Sequence, residues 1–465
     1  MPWSLSHTPS CISRSFARAT VRAAMIAIVT AGTLNAQAAP VALDLGGAAR
    51  MAAQRGATTE VARARSAQAD ARVTQSRSQL LPSLTSTTQY NARSFNSASL
   101  GIEVPGSTGS SVFDPRGEVI GPVRSTDVRA QITQKLFDLP ALYGWKAAGF
   151  EADGARYAVA ASAEEAADRG AKAYLGVVRA EASITARNAD SALAAELLDI
   201  AKQQLTAGVG IALDVTRAEA HLADARARLI STRADRDRAM LQLKHELALP
   251  PDAPLSLTEG LGEPTASGLN VNEEDVIKYA LQHRADFHEA RSVTISAAVQ
   301  ARAARAERLP TISVFADHGQ NGKDIDRMLG TYSYGIQVST PIFDGFRTSS
   351  RTAEQQARRQ EAQARLGDLR RQIDTDVRSA LVTLSSTKEE VVAAGARLAL
   401  AEQEVAQARE LFKAGVSGSS DVINASIGLN SARDQKIDAL TRYQLARVAL
   451  ASAQGATTSL QPSNP

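Results

Sequence analysis

The 465-residue sequence contains one cysteine, Cys11, and only 4% aromatic residues. A lone cysteine excludes an internal disulfide, and so few large rings exclude a core built on them. Beyond the N-terminal segment, no stretch reaches the roughly 18 consecutive apolar residues of a membrane-spanning helix. Any passage through a bilayer would therefore be made by strands. Catalytic signatures are missing as well. His283 and His288 are five residues apart, which is the wrong spacing for one helical face, and no second histidine follows His288-Glu289 as a zincin site requires. Gly208-Val209-Gly210 lacks the third glycine and preceding strand of a dinucleotide fingerprint. Arg63, Arg65, Arg72 and Arg77 are interleaved with alanine and glutamine and carry no stacking aromatics, so they describe a solvated helix face and not a nucleic-acid site. The sequence implies no enzyme, no metal and no cofactor.

The excess of positive charge is local. Residues 1–38 hold Arg14, Arg18 and Arg22 with no acidic residue, then the apolar run Ala23–Val29 and the small-residue site Ala36-Gln37-Ala38. That order predicts a secretory signal peptide. Of 52 basic residues it takes 3, leaving 49 against 49 acidic ones, and it takes Cys11 with it.

Proline divides what remains. The stretches between Pro140 and Pro250 and between Pro341 and Pro462 are proline-free, and each is interrupted once by small residues, Ala207-Gly208-Val209-Gly210 and Ala414-Gly415-Val416-Ser417-Gly418. Two long helical hairpins are predicted. The two halves match at an offset of 207: Ala207-Gly208-Val209 with Ala414-Gly415-Val416, Asp214-Val215 with Asp421-Val422, Ala225-Arg226 with Ala432-Arg433. Leu81-Pro82-Ser83-Leu84 also echoes Leu309-Pro310-Thr311-Ile312. The pattern reads as one unit written twice. Val391, Leu398, Val405 and Phe412 recur every seven residues, with Ala394, Ala401 and Ala408 three places on, a seam for supercoiling. The first arm echoes it with Ile184, Ser191, Leu198 and Leu205. A helix from Ala141 to about Leu205 would reach roughly 95 Å.

Between the arms lie period-two segments, clearest in Val128–Leu136 and Tyr332–Ser339, weaker in residues 82–90 and 311–317. Four such strands fit a transmembrane barrel with a wet interior but cannot close one, so several protomers would share it. The expected organisation is a signal peptide 1–38, a helix pair in 39–81, strands in 82–139 around an exposed loop 91–127, and a hairpin in 140–249 with its tip at 207–213. It continues with a connecting segment and helix pair in 250–309, strands in 310–341 around a loop 318–330, a second hairpin in 342–456 with its tip at 414–420, and a tail 457–465.

This order, with the tips Gly208-Val209-Gly210…Asp214-Val215 and Gly415-Val416…Asp421-Val422, resembles the TolC family of outer-membrane export channels. The resemblance implies a mainly helical fold with β, in which long helical hairpins form an α-barrel and three protomers contribute four strands each to a twelve-stranded β-barrel. It also implies a homotrimer set in outer-membrane lipid of a Gram-negative bacterium and extending into the periplasm. Its partners would be a periplasmic adaptor (membrane fusion) protein and an inner-membrane ABC or proton-driven transporter. The duct would serve type I protein or toxin secretion, or multidrug efflux. A periplasmic coiled-coil adaptor or structural protein is the alternative, and it would need no amphipathic strands.

On that resemblance Asp214 and Asp421 fall at the periplasmic constriction, six carboxylates per trimer, although carboxylates there also favour helix initiation. Asn424 stands where relatives often carry a further acidic residue, and Ser417 where they often carry a basic one, so a salt-bridge latch does not carry over. Ala207, Gly208, Val209, Ala414, Gly415 and Val416 are the expected adaptor-docking tips or simple turns. Tyr332 and Tyr334 suit an interfacial girdle or ordinary sheet packing. Arg129 and Lys135 share a strand face, either lining the lumen or merely solvated.

Overall fold

The computed structural model describes residues 41–96, 119–264 and 272–460. The expected signal peptide, Cys11, most of the first loop and the last five residues lie outside them. In chain order the elements are β1 (Val41–Leu43), α1 (Leu45–Arg55), α2 (Ala57–Ser78), β2 (Ser83–Asn96), β3 (Val119–Phe137), α3 (Leu139–Thr206) and α4 (Ala212–Glu246). Then follow β4 (Leu255–Leu257), α5 (Glu273–His283), α6 (Ala285–Ala306), β5 (Thr311–Gly322), β6 (Leu329–Ser339), α7 (Arg347–Lys413) and α8 (Ser419–Gln454).

Helices start where carboxylates can take orphan backbone N–H groups. Asp138 accepts from Ala141 N at 2.9 Å at the head of α3, with Pro140 in its first turn. At the head of α7, Asp344 accepts from both the backbone and the hydroxyl of Thr348, which holds its carboxyl below the usual carboxylate range. With no proline inside, α3 and α7 run for 68 and 67 residues.

Strands β2, β3, β5 and β6 form one antiparallel sheet in that order, leaving β2 and β6 as its edges. Helices α2, α3, α6 and α7 continue the strands side by side in the same order. Further down, α3 packs on α4 and α8, and α8 on α7. The main core lies at the middle, where α1, β1 and β4 pack on α3, α4 and α8 around Leu45, Tyr174, Leu243, Leu247 and Val448. Small residues allow helix axes to approach: a Cβ on Gly170 would meet that of Ala52 at 2.5 Å.

Tyr174 is 1% exposed, and its hydroxyl lies 3.3 Å from Leu43 O and 3.2 Å from both Glu259 O and Glu259 N. Burial pushes its phenol up to about 12. Tyr174→Phe should therefore lower stability by about 1–2 kcal/mol through lost buried hydrogen bonds. Thermal unfolding in detergent measures this, and an unchanged midpoint would contradict it.

Two expectations need correction. Residues 91–96 and 119–127 are strand, not loop: β2 pairs with β3 out to Asn96 and Val119 across a bulge at Arg93/Phe95. Likewise β5 runs to Gly322, with Asn321 opposite Leu329, and a 3-10 turn at Ile325–Arg327 makes the connection. Serine, asparagine and glycine mark turns when read singly, but pairing to a neighbouring strand carries them along. Over residues 184–205 of the first arm the buried positions are Asp190, Ala194, Leu197 and Ala201; Ile184, Ser191 and Leu198 are only half-buried, and Leu205 is exposed. The seam there is offset from the one the spacing predicts.

Candidate functional site

The sheet has two unlike faces. On one, the register sets Leu84 opposite Ile132, Thr88 opposite Val128, Val314 opposite Ile336 and Ile312 opposite Val338. Tyr332 and Tyr334 belong to this face, with ring centroids 6.4 Å apart, and are 74% and 78% exposed. The other face carries hydroxyls and amides, with Thr85 opposite Gln131, Asn91 opposite Ser125 and Ser313 opposite Gln337. An exposed apolar face backed by a polar one is the pattern of a strand between lipid and water. At the foot of the sheet Ile342, Phe343 and Phe346 are also strongly exposed. Among the described residues no helix is long and apolar enough to cross a membrane.

Arg129 and Lys135 are both on the polar face, and neither is free. Lys135 Nζ is 2.6 Å from Asp138. Arg129 bridges Asp127 on its own strand at 3.0 Å and Asp317 on β5 at 2.5 Å. The two carboxylates were missed at the sequence level. Asp127 shares the period-two face of Arg129, so half of this cluster was readable; Asp317 required the strand register.

At the opposite end of the molecule the two hairpin turns are built alike. Ala207 and Ala414 close the helices, Gly208 (φ 74°) and Gly415 (φ 71°) take the left-handed conformation, and Val209 and Val416 donate back to Gln204 O and Leu411 O at 3.0 Å. This is the Schellman arrangement that glycine permits. Nothing lies within 4 Å of a Cβ at either glycine, so Gly208→Ala or Gly415→Ala should cost about 1–2 kcal/mol through backbone strain alone. Unfolding midpoints check this; a larger loss would mean that the glycines also hold a contact. Val209 and Val416 are 75% and 73% exposed, giving the tips an apolar surface.

The two aspartates differ. Asp214, in the first turn of α4, accepts from the Ser419 hydroxyl at the start of α8, and its side chain is 14% exposed. It joins one hairpin to the other. Asp421 and Asn424, three residues apart on α8, are both exposed. Two turns higher, His221 on α4 makes a second link to Ser426 on α8 at 3.3 Å, with burial pushing its imidazole below the usual value. Ser419, His221 and Ser426 were not singled out in the sequence, because no local pattern announces a contact across some 205 residues.

Against known proteins, the sequence matches the outer membrane efflux protein family over residues 48–248 and 276–456. The chain belongs to that family. The outer membrane protein VceC of Vibrio cholerae shares the fold, superposing with a TM-score of 0.73 over 88% of this chain and 96% of its own, at 18% identity. Among curated relatives, the alkaline protease secretion protein AprF of Pseudomonas aeruginosa is 25% identical over 58% of each chain. Protein CyaE of Bordetella pertussis is 24% identical over 65% of this chain and 68% of its own. The chain thus spans somewhat more than half of the first relative's length. Membership agrees with the outer-membrane location and export role expected from the sequence.

Proposed function

We propose that three copies of this chain close a twelve-stranded barrel in the outer membrane, with the hairpins continuing it as a periplasmic tunnel. The observation that carries this reading is a sheet whose exposed apolar face and two free edges leave it incomplete alone, since an open ladder in lipid strands backbone groups. Edge β6 of one protomer would pair with β2 of the next. The near-equal hairpins support an internal duplication as the origin of the chain. The duct does no chemistry, and energy comes from its partners. A periplasmic adaptor meets the apolar tips around Val209 and Val416, and an inner-membrane ABC or proton-driven transporter loads the tunnel. The name of the alkaline protease secretion protein AprF favours protein secretion over drug efflux as the cargo class.

The purified chain in planar bilayers should give discrete conductance steps, and mass measurement in detergent should give a trimer. A monomer that never conducts would return the coiled-coil adaptor reading. At the periplasmic end the exposed Asp421, beside Asn424, is the constriction carboxylate, while Asp214 acts as the tether between hairpins. Asp421→Asn should weaken cation preference. Unchanged reversal potential would remove it from the pore.

A further inference from the structure

Among the described residues the polar face of the sheet is nearly free of charge. Apart from Arg93 at the upper end and the Lys135–Asp138 pair at the foot, its charged residues are Asp127, Arg129 and Asp317. These three form one cluster midway along the strands. Arg129 Nη2 is 3.0 Å from Asp127, and Nη1 is 2.5 Å from Asp317. Ser333, opposite Asp317 on β6, donates to the same carboxylate. Gly319 lies opposite Arg129 because a Cβ there would meet that of Arg129 at 2.4 Å; the missing side chain leaves room for the guanidinium to cross to Asp317.

Within the cluster one guanidinium balances one of two carboxylates, so each protomer keeps one net negative charge midway along the strands, set apart from Arg93 at the upper end. We infer that this Asp127–Arg129–Asp317 cluster is a cation-selecting ring within the membrane barrel, separate from the periplasmic tips. The inference rests on the trimeric duct proposed above, which turns the polar face inward and brings three clusters to one level. There the surrounding lipid confines the field to the water column, so a few fixed charges bias the ions that pass. The sign is opposite to that suggested by Arg129 and Lys135 read alone, because both cations are neutralised by neighbouring carboxylates.

Reversal potentials across a potassium chloride gradient test the ring, read on single channels so that only assembled pores contribute. Asp317→Asn leaves Ser333 an acceptor and should lower the potassium-to-chloride permeability ratio roughly threefold, whereas Arg129→Gln should raise it by a similar factor. Both are made in an Asp421→Asn background, which separates the barrel from the tip. If Arg129→Gln fails to assemble, Asp317→Asn alone decides. A conducting Asp317→Asn channel with the parent ratio overturns the ring and leaves the duct standing. A wild-type chain that never conducts overturns the duct itself.

Discussion

Asp190→Ala should be the most damaging single substitution in the hairpins, costing about 3–5 kcal/mol. Its carboxylate is 3% exposed and lies on α3 against α8, where it takes Arg433 Nη1 at 2.6 Å and Arg187 Nη1 at 3.0 Å. With its amide turned to donate, Asn430 adds a third contact at 2.6 Å. Arg187 also grips Asp434 through both oxygens, at 2.7 and 2.5 Å. Removing Asp190 leaves Arg433 without its partner at 23% exposure, and desolvation that the carboxylate offset is no longer compensated. Replacing the pair together, as Asp190→Leu with Arg433→Met, should recover much of the loss, since apolar side chains of similar volume suit a buried site. Thermal unfolding in detergent reads both. Equal losses in the single and double variants would show that the stranded Arg433 charge is not the source of the cost.

Phe412→Ala is expected to follow closely, at about 3–5 kcal/mol. Phe412 is 1% exposed and fills the space between Leu197, Ala201, Ala218 and Val422, so truncation opens a cavity where all four long helices meet. Its carbonyl also accepts from Gln204, which ties the two hairpins together near their tips. The residue 207 positions earlier, Leu205, is 41% exposed, and Leu205→Ala should stay within about 0.5 kcal/mol. Denaturant midpoints of the two variants give a direct comparison. Similar losses would mean that the tips pack symmetrically, against the burial seen here.

That contrast shows where sequence pattern stops. The heptad in α7 is legible because Val391, Ala401 and Val405 pack on its own returning helix. In α3 the buried face must serve α4 and α8 at once, so Asp190 and Ala194 displace the apolar positions that periodicity picks out. A buried charge never scores as core. The glycine turns, the proline-free arms and the two-faced strands were all readable, since each rests on local backbone chemistry. The cross-sheet cluster at Arg129, the Asp214–Ser419 tether and the Asp190 network were not, because each joins segments nearly two hundred residues apart or more. Turns that depend on one residue type at one position were therefore legible, and clusters that join distant segments were not.

The two open edges of the sheet also set a timescale. A lone protomer exposes the outer ladders of β2 and β6 together with Ile342, Phe343 and Phe346, a surface prone to adding whatever strand arrives first. On the proposed trimer its useful lifetime in the periplasm would be short, and the yield of correct product would become a race between meeting its own kind and meeting anything else. Dilution slows the first outcome more steeply than misfolding within a single chain. Expression level, and any holdase that shields the strands in transit, would then govern how much protein matures, even with every residue of the folded form unchanged.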